Sequence, residues 1–351
     1  MKIGLLIYGS LDTLSGGYFY DRRLVEYLRA HGETVEIISL LWRNYPAHLS
    51  DNLHFRLPPG LDVLIEDELN HPSLLRANAG IHPYPLVSLV HHLRSSELHP
   101  APLSWLYRQV ERRYLRSVDA FIFNSQTTRL AVQNMIGKAL QGPVAYPPTD
   151  RFGQALPAEL VSARAQQPGP LRLVFLGNLI ARKGLHTLLL ALRACQADVR
   201  LDVIGSPSAD PRYAQDMRDL ASKGNLAGRV VFHGALDNLA LAEKLRQAHV
   251  LAVPSSYEGF GIVYLEGMGF GLPAIGSSAG AAGEIISDGQ TGCLVASGDA
   301  LGLAERIKEF ANNRGLLERQ SLQALERYNR QPSWVETAAS IHTFLSKLVA
   351  K

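Results

Sequence analysis

Short apolar runs alternate with helical patterns along the whole chain, and this alternation constrains the fold more than any other feature of the sequence. Such a pattern predicts parallel strands that are buried on both faces and joined by crossover helices. Two successive sets of strands are predicted, the first at 3–8, 35–40, 63–65, 86–90, 121–123 and 144–146, and the second at 173–176, 201–204, 230–232, 250–253, 273–276 and 293–296. The expected fold class is therefore α/β, with two doubly wound, Rossmann-like domains.

A proline- and glycine-rich segment, 165–170, separates the two sets of strands and predicts the linker between the domains. The predicted domains are 1–165 and 166–330. Ligands of open α/β sheets bind beyond the carboxyl ends of the strands. If the two sheets face each other, those ends meet across one cleft.

Composition excludes several classes of protein. The chain has 351 residues, 46% of them hydrophobic and 19% charged, and its net charge of +3 is too small to indicate nucleic acid binding. No apolar run approaches the roughly 18 residues of a membrane-spanning helix. The apolar stretch at the start of the sequence is too short for the hydrophobic region of a signal peptide. Cys195 and Cys293 both lie in apolar segments, which favours a reducing compartment. We expect a cytoplasmic enzyme.

The segment 254–266, PSSYEGFGIVYLE, follows an apolar strand and holds the most informative pattern of residues. Gly259 and Gly261 bracket a tight turn before a predicted helix, and free N–H groups at such a turn attract anions. Glu258 and Glu266, eight positions apart, would repel a phosphate and more plausibly bind hydroxyls beside it. A phosphate flanked by hydroxyls describes a sugar nucleotide.

This segment resembles the E-x7-E motif of retaining glycosyltransferases of family 4, which have the GT-B fold. Three further segments are similar to motifs of that family and occur in the same order. GNLIARKG at 177–184 resembles G-R-L-x-x-x-K-G, with Asn178 where the family often has Arg; GLP at 271–273 with GAAGEI at 280–285 resembles G-x-P…G-G-x-x-E-I; and DGQTGCLV at 288–295 matches D-G-x-T-G-x-L-V. The N-terminal half resembles the family only loosely.

The resemblance implies transfer of a sugar, with retention, from a nucleotide diphosphate sugar to a hydroxyl of a saccharide or lipid acceptor. It also implies that the C-terminal helix, 331–351, crosses back onto the first domain; helical spacing is present in Val335, Ala338, Ile341 and Leu345. The diphosphate would leave as an oxocarbenium-like state forms, and its phosphate would take the acceptor proton. Neither a cofactor nor a metal is expected.

Site residues in the second domain follow from the same resemblance. Arg182 and Lys183 would neutralise the diphosphate, although such a pair in isolation more often lies on a solvated loop. Glu266 would accept hydrogen bonds from the ribose hydroxyls. The alternative interpretation is that it is a surface glutamate. The remaining predicted contacts are with the donor sugar and phosphate, through the Glu258 carboxylate and the amides of Gly259, Phe260 and Gly261.

Candidates in the first domain follow predicted strands. Gly16 and Gly17 let the backbone approach a phosphate, or serve only as a tight connection. Their spacing from Gly9 is not that of a dinucleotide-binding motif, which argues against a nicotinamide enzyme. His91 ends a strand where the family commonly has a histidine near the anomeric carbon, although His92 stands where Asp is commoner. A structural histidine is the alternative.

Two acidic features favour structural interpretations. Glu66, Asp67 and Glu68 are three consecutive acids, which suits a solvated loop better than an octahedral magnesium site, with acceptor binding as the alternative. Glu284 opens a predicted helix and is expected to stabilise its N-terminus. No D-x-D is present to indicate a metal-dependent transferase.

The segment 103–116 has helical spacing with two faces. Leu103, Leu106, Tyr107, Val110 and Tyr114 are predicted to face the core, and Trp105, Arg108, Arg112 and Arg116 form a basic face with one aromatic residue. This face predicts either a solvated surface or peripheral docking on an anionic membrane, at its inner, cytoplasmic side, with a lipid-linked acceptor.

Two other functions stay open. A nucleotide-sugar epimerase can share the two-domain architecture, but would need acid and base groups at the sugar that the sequence does not identify. A non-catalytic sugar-nucleotide binding protein is the second alternative, against which the intact pair of Glu258 and Glu266 argues.

Overall fold

The computed structural model describes residues 1–13, 15–97, 99–148 and 150–350. The chain forms two compact units, Met1–Pro148 with Pro332–Lys351, and Thr149–Gln331. The chain therefore enters the second unit after Pro148, earlier than the predicted linker at 165–170.

The reason for the earlier boundary is the helix Ala158–Ala165, which packs within the second unit. Val161 is fully buried there, and Arg164 Nη2 donates to the carbonyl oxygen of Gly271 at 2.9 Å. The segment at 165–170 is only the loop between this helix and the next strand.

The first unit is built on a five-stranded parallel sheet of order β2-β1-β3-β4-β5. The strands are β1 (Lys2–Tyr8), β2 (Thr34–Leu40), β3 (Val63–Asp67), β4 (Leu86–Val90) and β5 (Ala120–Phe123). The sixth predicted strand, at 144–146, makes only an isolated bridge from Val144 to Phe123. Near-continuous apolar runs form the central strands because both faces of the sheet are covered.

Side chains cap the first turn of some helices of the first unit. Ser15 caps helix α1 (Gly16–Ala30) through Tyr18 N, and Ser125 caps helix α5 (Gln126–Ile136) through Thr128 N. Gly137, with φ +67°, ends α5 in the left-handed conformation. The helices are α1 (Gly16–Ala30), α2 (Tyr45–Ser50), α3 (His71–Leu74), α4 (Ala101–Leu115) and α5 (Gln126–Ile136), with 3-10 turns at Asp51–Leu53, Glu68–Asn70 and Arg94–Ser96.

The second unit is built on a six-stranded parallel sheet of order β11-β10-β9-β6-β7-β8. Its strands are β6 (Leu171–Leu176), β7 (Val199–Ile204), β8 (Val230–Gly234), β9 (Val250–Val253), β10 (Ala274–Ser277) and β11 (Gly292–Val295). Its helices are α6 (Ala158–Ala165), α7 (Leu185–Ala194), α8 (Pro211–Ala221), α9 (Asn238–Gln247), α10 (Ile262–Gly269), α11 (Ala282–Ile285), α12 (Ala300–Asn312) and α13 (Arg314–Asn329), with 3-10 turns at Asp150–Phe152, Ala181–Lys183 and Gly224–Leu226.

The last helix, α14 (Trp334–Val349), packs against α1 in the first unit. Ser333 and Glu336 form a capping box that fixes its start. Trp334 is buried and meets the Tyr20 ring edge-on, with centroids 5.2 Å apart. Val335, which the predicted apolar spacing includes, is 63% exposed, because the buried stripe begins one residue earlier at Trp334.

Candidate functional site

In the second unit, the loop after β6 packs closely against the loop after β9. Gly184 has φ +73°, and a Cβ there would clash with the carbonyl oxygen of Pro254, so only glycine fits between the loops. Ser256 N donates to Arg182 O at 2.8 Å. These contacts bring the turn Ala181–Lys183 against the segment that contains Glu258.

Glu258 lies at the centre of a charged cluster. One carboxylate oxygen, Oε1, accepts hydrogen bonds from Lys183 Nζ and Ser255 Oγ, both at 2.6 Å. Arg182 Nη1 lies 3.8 Å from the other oxygen and donates to Tyr257 O at 3.0 Å. Burial alone would raise the pKa of Glu258, but the charges of Lys183 and Arg182 outweigh it and lower that pKa. Glu258 is therefore ionised at neutral pH.

Two glycines fix the backbone around Glu258. Gly261 has φ +94° at the start of α10, where a Cβ would lie 2.6 Å from the Tyr264 ring. Tyr264 Oη donates to Val253 O at 2.7 Å, which ties the helix to β9. Gly280, with φ +74°, lets the loop after β10 approach so closely that Ala281 N donates to Glu258 O at 2.8 Å. The structure thus contains the glycine turn and helix start that the sequence predicts.

Glu266 lies on α10 and is 3% exposed, so it is not a surface glutamate. Its Oε1 accepts a hydrogen bond from Arg151 Nη1 at 3.0 Å. Arg151 also donates from Nε and Nη2 to Asn238 Oδ1, at 3.1 and 2.8 Å. Burial raises the pKa of Glu266, and Arg151 offsets only part of that effect. Arg151 was missed in the sequence because it lies 115 positions from Glu266.

Two other candidate residues of the second unit differ in exposure. Phe260 is buried, with 4% of its surface exposed, between Gly259 and Gly261. Glu284 is half-buried in the first turn of α11, a helix of only four residues.

His91 follows β4 in the first unit and is held by α1. Its Nε2 lies 3.0 Å from Asp21 Oδ1, and Gly17 is so close that a Cβ there would lie 3.3 Å from His91 Cδ2. Burial alone would lower the pKa of His91, but mainly the Asp21 carboxylate raises it, to about 9. Gly16 and Gly17 form the first turn of α1. His92 pairs with Glu97, with Nε2 to Oε1 at 3.1 Å.

The three consecutive acids are buried, and the expectation of a solvated loop is wrong. Strand β3 continues through Glu66 and Asp67, and Glu68 opens the next 3-10 turn; each is at most 1% exposed. Glu66 Oε2 accepts a hydrogen bond from Asn78 Nδ2 at 2.9 Å. Burial raises the pKa of Glu66 and of Asp67 to about 7 each, and raises that of Glu68 well above its usual value.

Two groups in the described part of the first unit bring three potential metal-ligand atoms within 4.8 Å of one another. One consists of Asp21, Asp67 and His91. The other consists of Glu68, His71 and Glu111, which are all buried. Hydrogen bonds within the protein account for part of both groups, since His91 pairs with Asp21 and Glu111 accepts from Ser95 N at 3.2 Å.

Helix α4 presents a more apolar surface than the sequence predicts. Leu103 and Leu106 were expected in the core but are 44% and 38% exposed, and Trp105 is 65% exposed. They lie in the first half of the helix, whereas Tyr107 and Tyr114 are buried. Arg108, Arg113 and Arg116 are exposed, and Arg112 is half-buried. A shallow depression is lined by Arg112, Arg113 and Arg116. None of the described helices is long and apolar enough to cross a bilayer.

Comparison with known proteins points to one group of enzymes. Residues 160–330 match the family model described as glycosyl transferases group 1. Glycogen synthase of Mycobacterium tuberculosis is 28% identical over 277 residues, which cover 77% of this chain and 64% of that protein, so this chain spans less than two thirds of that relative. The phosphatidyl-myo-inositol mannosyltransferase of Mycobacterium leprae is 26% identical over 381 residues, covering 97% of this chain and 95% of that protein.

A solved structure shows the same fold over the whole chain. Anabaena Alr3699/HepE, in complex with UDP and glucose, has a TM-score of 0.76 at 20% identity and covers 99% of this chain and 100% of its own. With the two parallel sheets, this likeness establishes the GT-B architecture that the sequence predicts. The family match and the named relatives support a glycosyltransferase.

Proposed function

We propose that this protein is a retaining glycosyltransferase of the family 4 type, which moves a sugar from a nucleotide diphosphate sugar to an acceptor hydroxyl. One observation carries the proposal. The buried Glu258 carboxylate is paired with Lys183 and lies near Arg182, and Glu266 is buried eight positions further along, within the segment that matches the family model.

The charges of this cluster suit a leaving diphosphate. Lys183 and Arg182 carry two positive charges and Glu258 one negative charge, so the cluster has a net charge of 2 − 1 = +1. A diphosphate that gains negative charge as the glycosidic bond breaks is stabilised by such fixed charges. We assign Lys183 and Arg182 to the diphosphate, and Glu258 to a sugar hydroxyl and to the orientation of Lys183.

Glu266 is proposed to bind the ribose. An ionised carboxylate accepts hydrogen bonds from two adjacent hydroxyls, and the surrounding burial strengthens them. The amides of Gly259, Phe260 and Gly261 would contact the sugar and phosphate beside it. Arg151 also pairs with the Glu266 carboxylate, so a ribose bound there must share or displace this contact.

In the first unit, Gly16 and Gly17 are proposed to approach the phosphate with their backbone, and His91 to contact the sugar at the reacting carbon. In the retaining reaction the bond from the anomeric carbon to the diphosphate oxygen breaks and a bond to the acceptor oxygen forms on the same face. The acceptor proton passes to the departing phosphate. No cofactor or metal is required in this scheme.

The exposed surface of α4 favours a lipid acceptor. Leu103, Trp105 and Leu106 are exposed on the helix that also exposes Arg108, Arg113 and Arg116. Apolar residues flanked by arginines favour the interface of an anionic membrane. We propose that the first unit docks there, at the cytoplasmic side, and takes a lipid-linked acceptor; a soluble saccharide is the alternative.

A ligand screen tests the function directly. Thermal unfolding is measured with UDP, GDP and ADP and with their sugars, since a ligand at 100 times its dissociation constant adds about 2.7 kcal/mol of stability. Product analysis with the stabilising sugar nucleotide then separates the functions. Transfer with retained anomeric configuration supports the proposal, an epimerised sugar nucleotide indicates an epimerase, and stabilisation without turnover indicates a binding protein.

A further inference from the structure

Asp21 pairs with His91 and has no role in the proposed reaction so far. It lies on α1, 70 positions from His91, and is fully buried. Its Oδ1 lies 3.0 Å from His91 Nε2, and its Oδ2 has no hydrogen-bond partner among the described residues. A buried carboxylate with one uncompensated oxygen destabilises a fold. Packing therefore does not explain the residue.

Contacts to both the backbone and the ring hold His91 in place. Asn124 Nδ2 donates to His91 O at 2.7 Å, and the Tyr20 ring meets the imidazole edge-on with centroids 5.4 Å apart. Gly17 closes the side of the ring at Cδ2. Nε2 is directed at Asp21, and Nδ1 has no hydrogen-bond partner among the described residues, while 12% of the side chain is exposed. The arrangement leaves Nδ1 as the donor available to a ligand.

We propose that Asp21 is a positioning residue for the reaction, which holds the His91 ring by Nε2 so that Nδ1–H is presented to the donor sugar. This inference rests on the proposed function, because it assigns Asp21 a role through His91. Asp21 itself is too deeply buried to contact substrate.

The pairing of His91 with Asp21 also reduces electrostatic repulsion at the reacting carbon of the sugar. A retaining transfer develops positive charge on the sugar, and an unpaired imidazolium beside it would raise the barrier. The Asp21 carboxylate at 3.0 Å makes the pair electrically neutral while the ring keeps both N–H donors. Asp67 on β3 and Glu68 after it are the other acids that act on His91, and both have raised pKa values because of burial.

The test compares Asp21→Asn, His91→Asn and the double variant, with Glu66→Gln as control. Glu66 is also fully buried in the first unit but is hydrogen-bonded to Asn78. We expect Asp21→Asn to lower kcat by about 10- to 100-fold, the range for loss of one charge-assisted contact, with little change in KM for the donor. The double variant should be no slower than His91→Asn, because Asp21 acts through His91.

A second readout does not depend on turnover. The NMR signal of the His91 ring should titrate near pH 9 in the wild-type protein, and at least about one pH unit lower in Asp21→Asn. Glu66→Gln should leave this titration and kcat unchanged. If the wild-type protein transfers no sugar, the proposed function fails. If it transfers sugar and Asp21→Asn has an unchanged kcat, an unchanged His91 titration, or losses additive with His91→Asn, this inference alone fails.

Discussion

Lys183 Nζ lies 2.6 Å from Glu258 Oε1, although the two residues are 75 positions apart in the chain. The sequence suggests a cation for phosphate and a carboxylate for a sugar hydroxyl; the structure joins them in one ion pair. Each residue therefore stabilises the other, and substituting either one changes folding stability as well as any ligand contact.

The first prediction concerns this pair. Lys183→Ala leaves Glu258 buried without its closest cation, so the free energy of unfolding should fall by about 1–3 kcal/mol. Adding Glu258→Gln should recover part of that loss, because no buried charge is then left unpaired. Urea denaturation of both variants checks this, with the exposed Lys223→Ala as control. Equal stability of wild type and Lys183→Ala would contradict the importance of the pair.

Glu266→Ala should weaken nucleoside diphosphate binding about 10- to 100-fold while the fold is kept, since the two hydroxyl contacts proposed for this ionised group are lost. In the wild-type protein affinity should also decrease as pH falls, because the pKa of Glu266 is raised and only its ionised form accepts both hydroxyls. Calorimetry measures both effects. Glu243→Ala, on the exposed side of α9, is the control; unchanged affinity in Glu266→Ala would exclude Glu266 from the ribose site.

The buried acid Glu66 makes stability depend on pH. Its folded pKa of about 7 lies above the unfolded value of about 4.3, so the folded protein holds an extra proton between those values and loses stability as pH rises through this window. Glu66→Gln mimics the protonated form. This substitution should leave the free energy of unfolding unchanged at pH 4 and raise it by about 1–3 kcal/mol at pH 8.

Thermal unfolding at the two pH values checks the Glu66 prediction, with Glu305→Gln, at a side chain 74% exposed, as control. A stabilisation of Glu66→Gln that is the same at both pH values would show that proton uptake by Glu66 is not its cause.

Turnover should survive chelation. In the proposed mechanism Lys183, Arg182 and the start of α10 provide the positive charge for the leaving diphosphate, so EDTA should change the rate less than about twofold. The assay compares chelated enzyme with enzyme supplied with manganese. Loss of activity on chelation and recovery with manganese would instead direct attention to the group formed by Asp21, Asp67 and His91.

The membrane prediction is tested by vesicle flotation. The protein should float with anionic vesicles and not with neutral ones. Arg108→Glu with Arg113→Glu should reduce binding at least tenfold, because each basic residue near an anionic surface contributes about 1 kcal/mol. The control is the same charge reversal, to Glu, at Arg306 and Lys308, which are exposed on α12. Equal flotation with both vesicle types would favour a soluble acceptor.

Local patterns in the sequence predict much of the fold. Apolar runs define the strands because a parallel strand buried on both faces needs consecutive apolar residues. The spacing of Gly259 and Gly261 predicts the turn before α10, since Gly261 must adopt a positive φ there. Exposure is harder to predict: Leu103 and Leu106 match the core spacing of an amphipathic helix, yet nothing in the described structure covers them.

The sequence by itself determined the two α/β sheets, the glycine turn, and the positions of Glu258 before that turn and Glu266 on the helix after it, because these depend on residues close together in the chain. Only the tertiary structure decided the partners of the charges. It placed Arg151 on Glu266 and Asp21 on His91, and it buried Glu66, Asp67 and Glu68. Such pairs form between residues 70 or more positions apart, and local spacing carries no information about which distant element will cover a charge.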